Sequence, residues 1–94
     1  MDEIRFVWDA AKGVANQRKH GVSFDEARSV FLDAGAKLIS DPDHSFSEDR
    51  YILLGLSFKL RLLVVCHTYR RDGVEIRIIS ARKANKHEQS QYRV

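Results

Sequence analysis

The sequence predicts an α+β fold, an antiparallel sheet with two N-terminal helices packed on one face and a C-terminal helix, within one domain over residues 1–94. Three observations lead there. Apolar residues recur at helical spacing early in the chain, β-rich runs follow, and turn-forming residues stand where the pattern changes. Ninety-four residues suffice for one core, and with one Pro and five Gly the chain is neither disordered nor fibrous in composition.

Ile4-Arg5-Phe6-Val7-Trp8 reads as a short strand, and Asp9 as the N-cap of a helix from Ala10 to His20 that Gly21 stops. Ser23 and Glu26 match a capping box, with Val22 and Ala27 placed for a hydrophobic staple. Phe24, Ala27, Val30 and Phe31 then form the buried stripe of a second helix, residues 24–32. After Asp33-Ala34-Gly35 the period changes. Residues 37–40 read as a strand and residues 41–49 as a polar loop. Residues 50–56 and 60–69 read as a hairpin turning at Ser57-Phe58-Lys59, and Arg71-Asp72-Gly73 as the next turn. In residues 74–80, Val74, Ile76 and Ile78 alternate with Glu75 and Arg77, so one face is core and the other wet. These strands form a four-stranded antiparallel meander. The polar tail from Lys83 to Tyr92 reads as a weakly docked helix.

The net charge is only +3, but the acids concentrate before Tyr51, whereas Arg61, Arg70, Arg71, Arg77, Arg82, Lys83, Lys86 and Arg93 fall toward the C-terminal end. An anionic partner is drawn to that end. The single cysteine, Cys66, sits in an apolar run and has no intrachain partner, which suits a reducing compartment. With no apolar h-region and no stretch near the ~18 residues of a membrane span, the expected location is the cytoplasm.

No phosphate-cradling glycine loop, paired cysteines or His-x-x-x-His is present, and nothing resembles a nucleophile elbow. The acidic cluster Asp41, Asp43, Glu48 and Asp49 lies in a turn-rich loop, which favours a solvated loop over a metal site. No metal or cofactor is expected. What remains is a cationic and imidazole set: His67, Arg70, Arg77, Arg82 and Lys83. RNA cleavage without metal needs a proton taken from the 2′-hydroxyl, charge stabilised on a five-coordinate phosphorus, and a proton given to the leaving 5′-oxygen. Guanidinium forks suit the phosphate, and imidazole or ammonium groups suit the protons. Strand parity puts His67 and Tyr69 on one face and turns Arg77 away from Ile76 and Ile78, so neighbouring outward faces would join in a cleft. Exposed Arg and His that merely solubilise a half-wet sheet are the plain alternative. Lys19 and His20 form a second basic spot where cations also complement the dipole of the first helix.

The blocks Phe6-x-Trp8-Asp9-x-x-Lys12, Asn16-x-x-Lys19-His20-Gly21-Val22-Ser23-Phe24-x-x-Ala27, Arg50-x-x-x-x-Gly55 and Ile78-Ile79-Ser80-Ala81-Arg82-x-Ala84-x-x-x-Glu88-x-x-x-Tyr92 resemble the BrnT toxins over nearly the whole chain. The resemblance implies a RelE-like fold and RNA cleavage that inhibits translation. It also implies neutralisation by a BrnA-type ribbon-helix-helix antitoxin, in a heterotetramer or larger assembly that reaches operator DNA only through the antitoxin. Arg82, and less directly Arg70 and Arg77, then fall where phosphate-binding arginines are expected, with His67 as candidate base by chemistry and position. Lys19, His20, Lys83 and Lys86 are the candidate RNA-binding residues. A non-catalytic module binding RNA or protein through the same basic face is the competing function. Exposed apolar surface at Phe46, Phe58 and the last helix would need a partner to cover it.

Overall fold

The computed structural model describes residues 3–39 and 50–92. Its elements are β1 (Arg5–Val7), α1 (Ala10–His20), α2 (Phe24–Ser29) continued by a 3₁₀ turn (Val30–Leu32), β2 (Lys37–Ile39), β3 (Tyr51–Leu56), β4 (Leu62–Arg70), β5 (Glu75–Lys83) and α3 (Lys86–Tyr92). The sheet order is β1-β5-β4-β3-β2. β2 to β5 form the expected antiparallel meander, but β1 joins the free edge of β5 in parallel, with Phe6 opposite Ile76, so the sheet is mixed. Short-range periodicity cannot show a pairing between segments some 70 residues apart.

Asp9 caps α1 by accepting from the Lys12 N–H at 3.0 Å, and Gly21 closes it in the left-handed region at φ 70°. Ser23 accepts from the Glu26 N–H at 3.0 Å, but the return half of the capping box is absent. The Glu26 carboxylate is fully buried instead and binds Arg61, with the Arg61 Nε–H donating to Oε2 at 2.8 Å and Nη2 to Oε1. The Ser57 hydroxyl also donates to Oε2, at 2.7 Å. This ion pair fastens the β3–β4 hairpin to α2.

Both faces of the sheet are covered by core. Val22, Phe24, Ala27 and Val30 pack against Leu63, Val65, Ile78 and Ala81 on one face. On the other, Ile52, Leu54, Val64 and Cys66 meet Ala84, with Ile79 and Tyr92 alongside. α3 is accordingly held more firmly than its polar sequence suggests. The Tyr92 hydroxyl donates to Asp33 Oδ2 at 2.7 Å, and Lys37 Nζ donates to the Gln91 carbonyl at 3.2 Å. Asp33 also accepts from the N–H groups of Leu56 at 2.8 Å and Gly35 at 2.9 Å. Gly55 permits this close approach, since a Cβ there would stand 2.8 Å from Ala36 Cβ and 2.9 Å from Val30 Cγ1. Beyond Val7, where β1 ends, buried Asn16 binds both backbone groups of Ala81, donating to its carbonyl at 2.9 Å and accepting from its N–H at 3.1 Å. The amide also donates to the Val22 carbonyl at 2.9 Å.

Removing the buried Glu26 carboxylate takes the acceptor from Arg61 and from the buried Ser57 hydroxyl and leaves a cavity beneath the hairpin, at a cost of about 3 kcal/mol. Glu26→Ala is therefore expected to lower Tm by more than 10 °C in a thermal melt, since about 1 kcal/mol shifts a domain of this size by 4–8 °C.

Candidate functional site

The register between β4 and β5 decides which candidate residues share a face. Cys66 pairs with Ser80 but His67 with Ile78, which leaves Ile79 as an extra residue on β5. Five residues apart on a regular strand, Arg77 and Arg82 would point to opposite faces. The bulge brings them to the same one, Arg77 opposite Thr68 and Arg82 opposite Val64. Arg70, opposite Glu75, is on that side as well. Three of the four expected catalytic residues thus lie on the face away from α2, spread along it: Arg82 is roughly 15 Å from Arg77 at ~3.3 Å per strand residue.

His67 does not join them. It has the parity of Leu63 and Val65, so it points into the helix-covered face, where it is 0% exposed. The expectation that His67 and Arg77 line one cleft is therefore corrected: they lie on opposite faces of the sheet. The Val65 carbonyl, 3.1 Å from Nδ1, can only accept, which fixes the proton on Nδ1. Nε2 then accepts from the Tyr69 hydroxyl at 3.1 Å. Phe31, Tyr51 and Tyr69 surround the ring at centroid distances of 4.8, 6.1 and 5.1 Å. Burial holds His67 below its ordinary pKa of 6.5 despite the bond to the Val65 carbonyl, so the ring is neutral at pH 7. Burial, and then Tyr51, pushes the Tyr69 phenol up.

Arg82 is engaged by α3. Its Nη1 and Nη2 donate to Glu88 Oε1 and Oε2, each at 2.7 Å. Glu88 is itself set by a reciprocal cap, accepting from the Asn85 N–H at 2.9 Å while its own N–H donates to Asn85 Oδ1 at 2.8 Å. The Arg82 hydrogen bonds hold the Glu88 carboxyl below its usual range, against the opposing effect of burial. The Asn85-x-x-Glu88 spacing carried this signal, and sequence reasoning passed over it.

Arg77 contrasts with Arg82. It is half-buried, and its guanidinium has no hydrogen-bond or carboxylate partner among the described residues. Thr68, its cross-strand neighbour, is 7% exposed, and its Oγ1 is buried without a hydrogen-bond partner among the described residues. Thr68 was not singled out from sequence, because parity gives its face but not its unmet hydrogen bond. Arg70 is exposed at the end of β4.

The RNA-binding candidates divide between two places. Lys19 is exposed and His20 half-buried at the end of α1, next to Gly21, whose carbonyl accepts from Arg61 Nη2 at 3.0 Å. Lys83, opposite Leu63, is exposed at that same end of the sheet, whereas Lys86 lies on α3. No group of three or more His, Cys, Asp or Glu able to hold a metal is found among the described residues. The acidic loop of residues 41–49, and Phe46 and Arg93, lie outside those residues. No described helix is long and apolar enough to cross a membrane.

The His67 shift has a definite sign. With a folded pKa below 6.5, the group binds more protons when unfolded, so its contribution is complete above that value and is lost as pH falls toward the folded pKa. Chemical denaturation between pH 7.5 and 5 is expected to show falling stability, and His67→Gln is expected to flatten that segment of the curve.

The fold agrees with a solved one. The chain superposes on the 1.1 Å crystal structure of the Brucella abortus ribonuclease toxin BrnT with a TM-score of 0.67 and 22% identity, covering 88% of this chain and 99% of that one. No curated protein sequence matches it. Residues 8–88 match the family described as the ribonuclease toxin BrnT of type II toxin-antitoxin systems. A chain matched over that span, with its five-stranded mixed sheet and three helices in the same overall fold, belongs to the BrnT family of ribonuclease toxins.

Proposed function

We propose that this chain is a metal-independent endoribonuclease with a RelE-like fold, which acts in the cytoplasm, cleaves RNA and inhibits translation, and which a BrnA-type ribbon-helix-helix antitoxin neutralises. RNA phosphate binds the bulged face of β4 and β5. One observation carries this placement: the half-buried Arg77 and the buried Thr68 hydroxyl, opposite one another, both lack partners among the described residues. A guanidinium withdrawn from water without a counter-charge is unfavourable, and a phosphate with two oxygens for its planar fork offsets that cost. The Thr68 hydroxyl supplies a further donor once RNA displaces the side chains above it.

The reaction is attack of the 2′-oxygen on the adjacent phosphorus, with a proton passed to a base and another given to the departing 5′-oxygen, leaving a cyclic phosphate. Arg77 and Arg70 stabilise the charge that grows on phosphorus, and Arg82, farther along the strand with Glu88 setting its fork, is proposed to hold a neighbouring phosphate of the same RNA. His67, on the other face, is left out of the proposed set. Lys19, His20, Lys83 and Lys86 are proposed to hold flanking RNA by phosphate contacts, which makes binding fall with salt. The antitoxin assembles with the toxin as a heterotetramer or larger complex and alone contacts operator DNA.

Arg77→Gln is expected to reduce RNA cleavage by about 10²-fold, the usual loss when one preorganised donor to developing charge is removed. Its melting temperature should not fall below that of the parent, because the change removes a half-buried charge without a carboxylate partner among the described residues. Thr68→Val should lower cleavage about tenfold while raising Tm, because a buried hydroxyl without a partner costs roughly 1–3 kcal/mol. Cleavage should persist in excess EDTA. Purified protein that leaves RNA intact, or that cuts only with added magnesium, would overturn the proposal.

A further inference from the structure

The β3–β4 hairpin presents two large apolar side chains to solvent, Phe58 at 64% and Leu60 at 80% exposure. Leu60 is doubly unfavourable there, because its backbone also lies in the left-handed region at φ 59°. That conformation costs a residue with a Cβ on the order of 1 kcal/mol, and hairpin turns place Gly or Asn in it. The tip is nevertheless firmly built. Ser57 Oγ accepts from the Lys59 N–H at 3.2 Å, the Phe58 N–H donates to Ser29 Oγ at 2.9 Å, and the Leu60 N–H donates to the Ser57 carbonyl at 2.8 Å. The Glu26–Arg61 pair anchors its base. Strain and exposed apolar surface are thus held in one rigid place.

The surroundings are cationic. Lys59 Nζ lies 5.9 Å from the Phe58 ring centroid, the Arg61–Gly21 bond brings Lys19 and His20 to the base of the hairpin, and Lys83 pairs with Leu63 two residues from Arg61. Lys19, Lys59 and Lys83 have no ion-pair partner among the described residues. Nearby carboxylates are committed, Glu26 to Arg61 and Asp25 to Arg28 at 3.3 Å. A basic rim around an apolar pair selects an acidic partner, and an exposed Leu, which has no ring to stack on bases, favours protein over nucleic acid.

We propose that the Phe58–Leu60 hairpin tip is a docking site for the antitoxin, received by an acidic segment that buries both side chains. This rests on the toxin–antitoxin reading. Leu60→Asn and Phe58→Ser test it against the purified small protein encoded beside the toxin gene, by titration calorimetry and by melting of the free toxin. Leu60→Asn is expected to raise Tm by about 4 °C, since it relieves the backbone strain. The same change should weaken antitoxin binding at least tenfold, Phe58→Ser should do likewise, and RNA cleavage by the free toxin should be unchanged. Stability rising while affinity falls is an outcome that mere loss of folding cannot produce. Affinities within twofold of the parent in both variants would overturn the docking site and leave the toxin reading intact, as would loss of RNA cleavage with antitoxin affinity preserved. A parent protein that neither binds this neighbour nor cuts RNA would overturn both.

Discussion

The arginine-bearing face depends on one inserted residue. Without Ile79 as an extra residue, the strict two-residue period of a strand would put Arg77 and Arg82 on opposite sides of the sheet. The same insertion lets Ile78 and Ala81, three residues apart, both pack on the helix side. A single departure from the ladder therefore satisfies two demands at once. It completes one core with apolar residues from both halves of β5, and it aligns guanidinium groups on the reverse.

The two sides of the sheet are fixed by different physics. The helix side combines apolar packing with two buried polar fastenings, the Glu26–Arg61 pair and the Asn16 amide. Each satisfies its groups almost completely, which is what makes buried polar groups tolerable. The reverse side is divided. Apolar contacts with Ala84 and Tyr92 hold α3 over β3 and the start of β4, while the end of β4 beside the turn keeps polar groups whose hydrogen bonds are unmet among the described residues. That division separates the part of the face held by α3 from the part whose polar groups keep unmet hydrogen bonds.

Local chemistry made much of this readable from sequence. Asp9, Gly21 and Ser23 marked helix ends because capping acts over three or four residues, and Arg71-Asp72-Gly73 marked a turn because that conformation needs three consecutive positive φ angles. The alternation in residues 74–80 revealed β5 but stopped short of its end at Lys83, since the bulge at Ile79 breaks the period. His67 was misplaced for a related reason: a polar residue at a core parity reads as exposed until its neighbours, here Phe31 and two tyrosines, are known. Glu26 looked like a cap residue because its partner Arg61 is 35 positions away. Charge and the family resemblance singled out Arg70, Arg77 and Arg82 as candidates, but parity alone separates Arg77 from Arg82, and the unmet hydroxyl of Thr68 is a property of packing alone.

The parallel pairing of β1 with β5 also orders events in time. Arg5 lies opposite Glu75, so the first strand emerges from the ribosome long before the strand it must join exists. Ala81, which receives the Asn16 amide, is later still. β1 consequently waits without its partner until β5 has been made, and a chain that stops before Glu75 lacks both the strand that β1 joins and the arginines that strand carries.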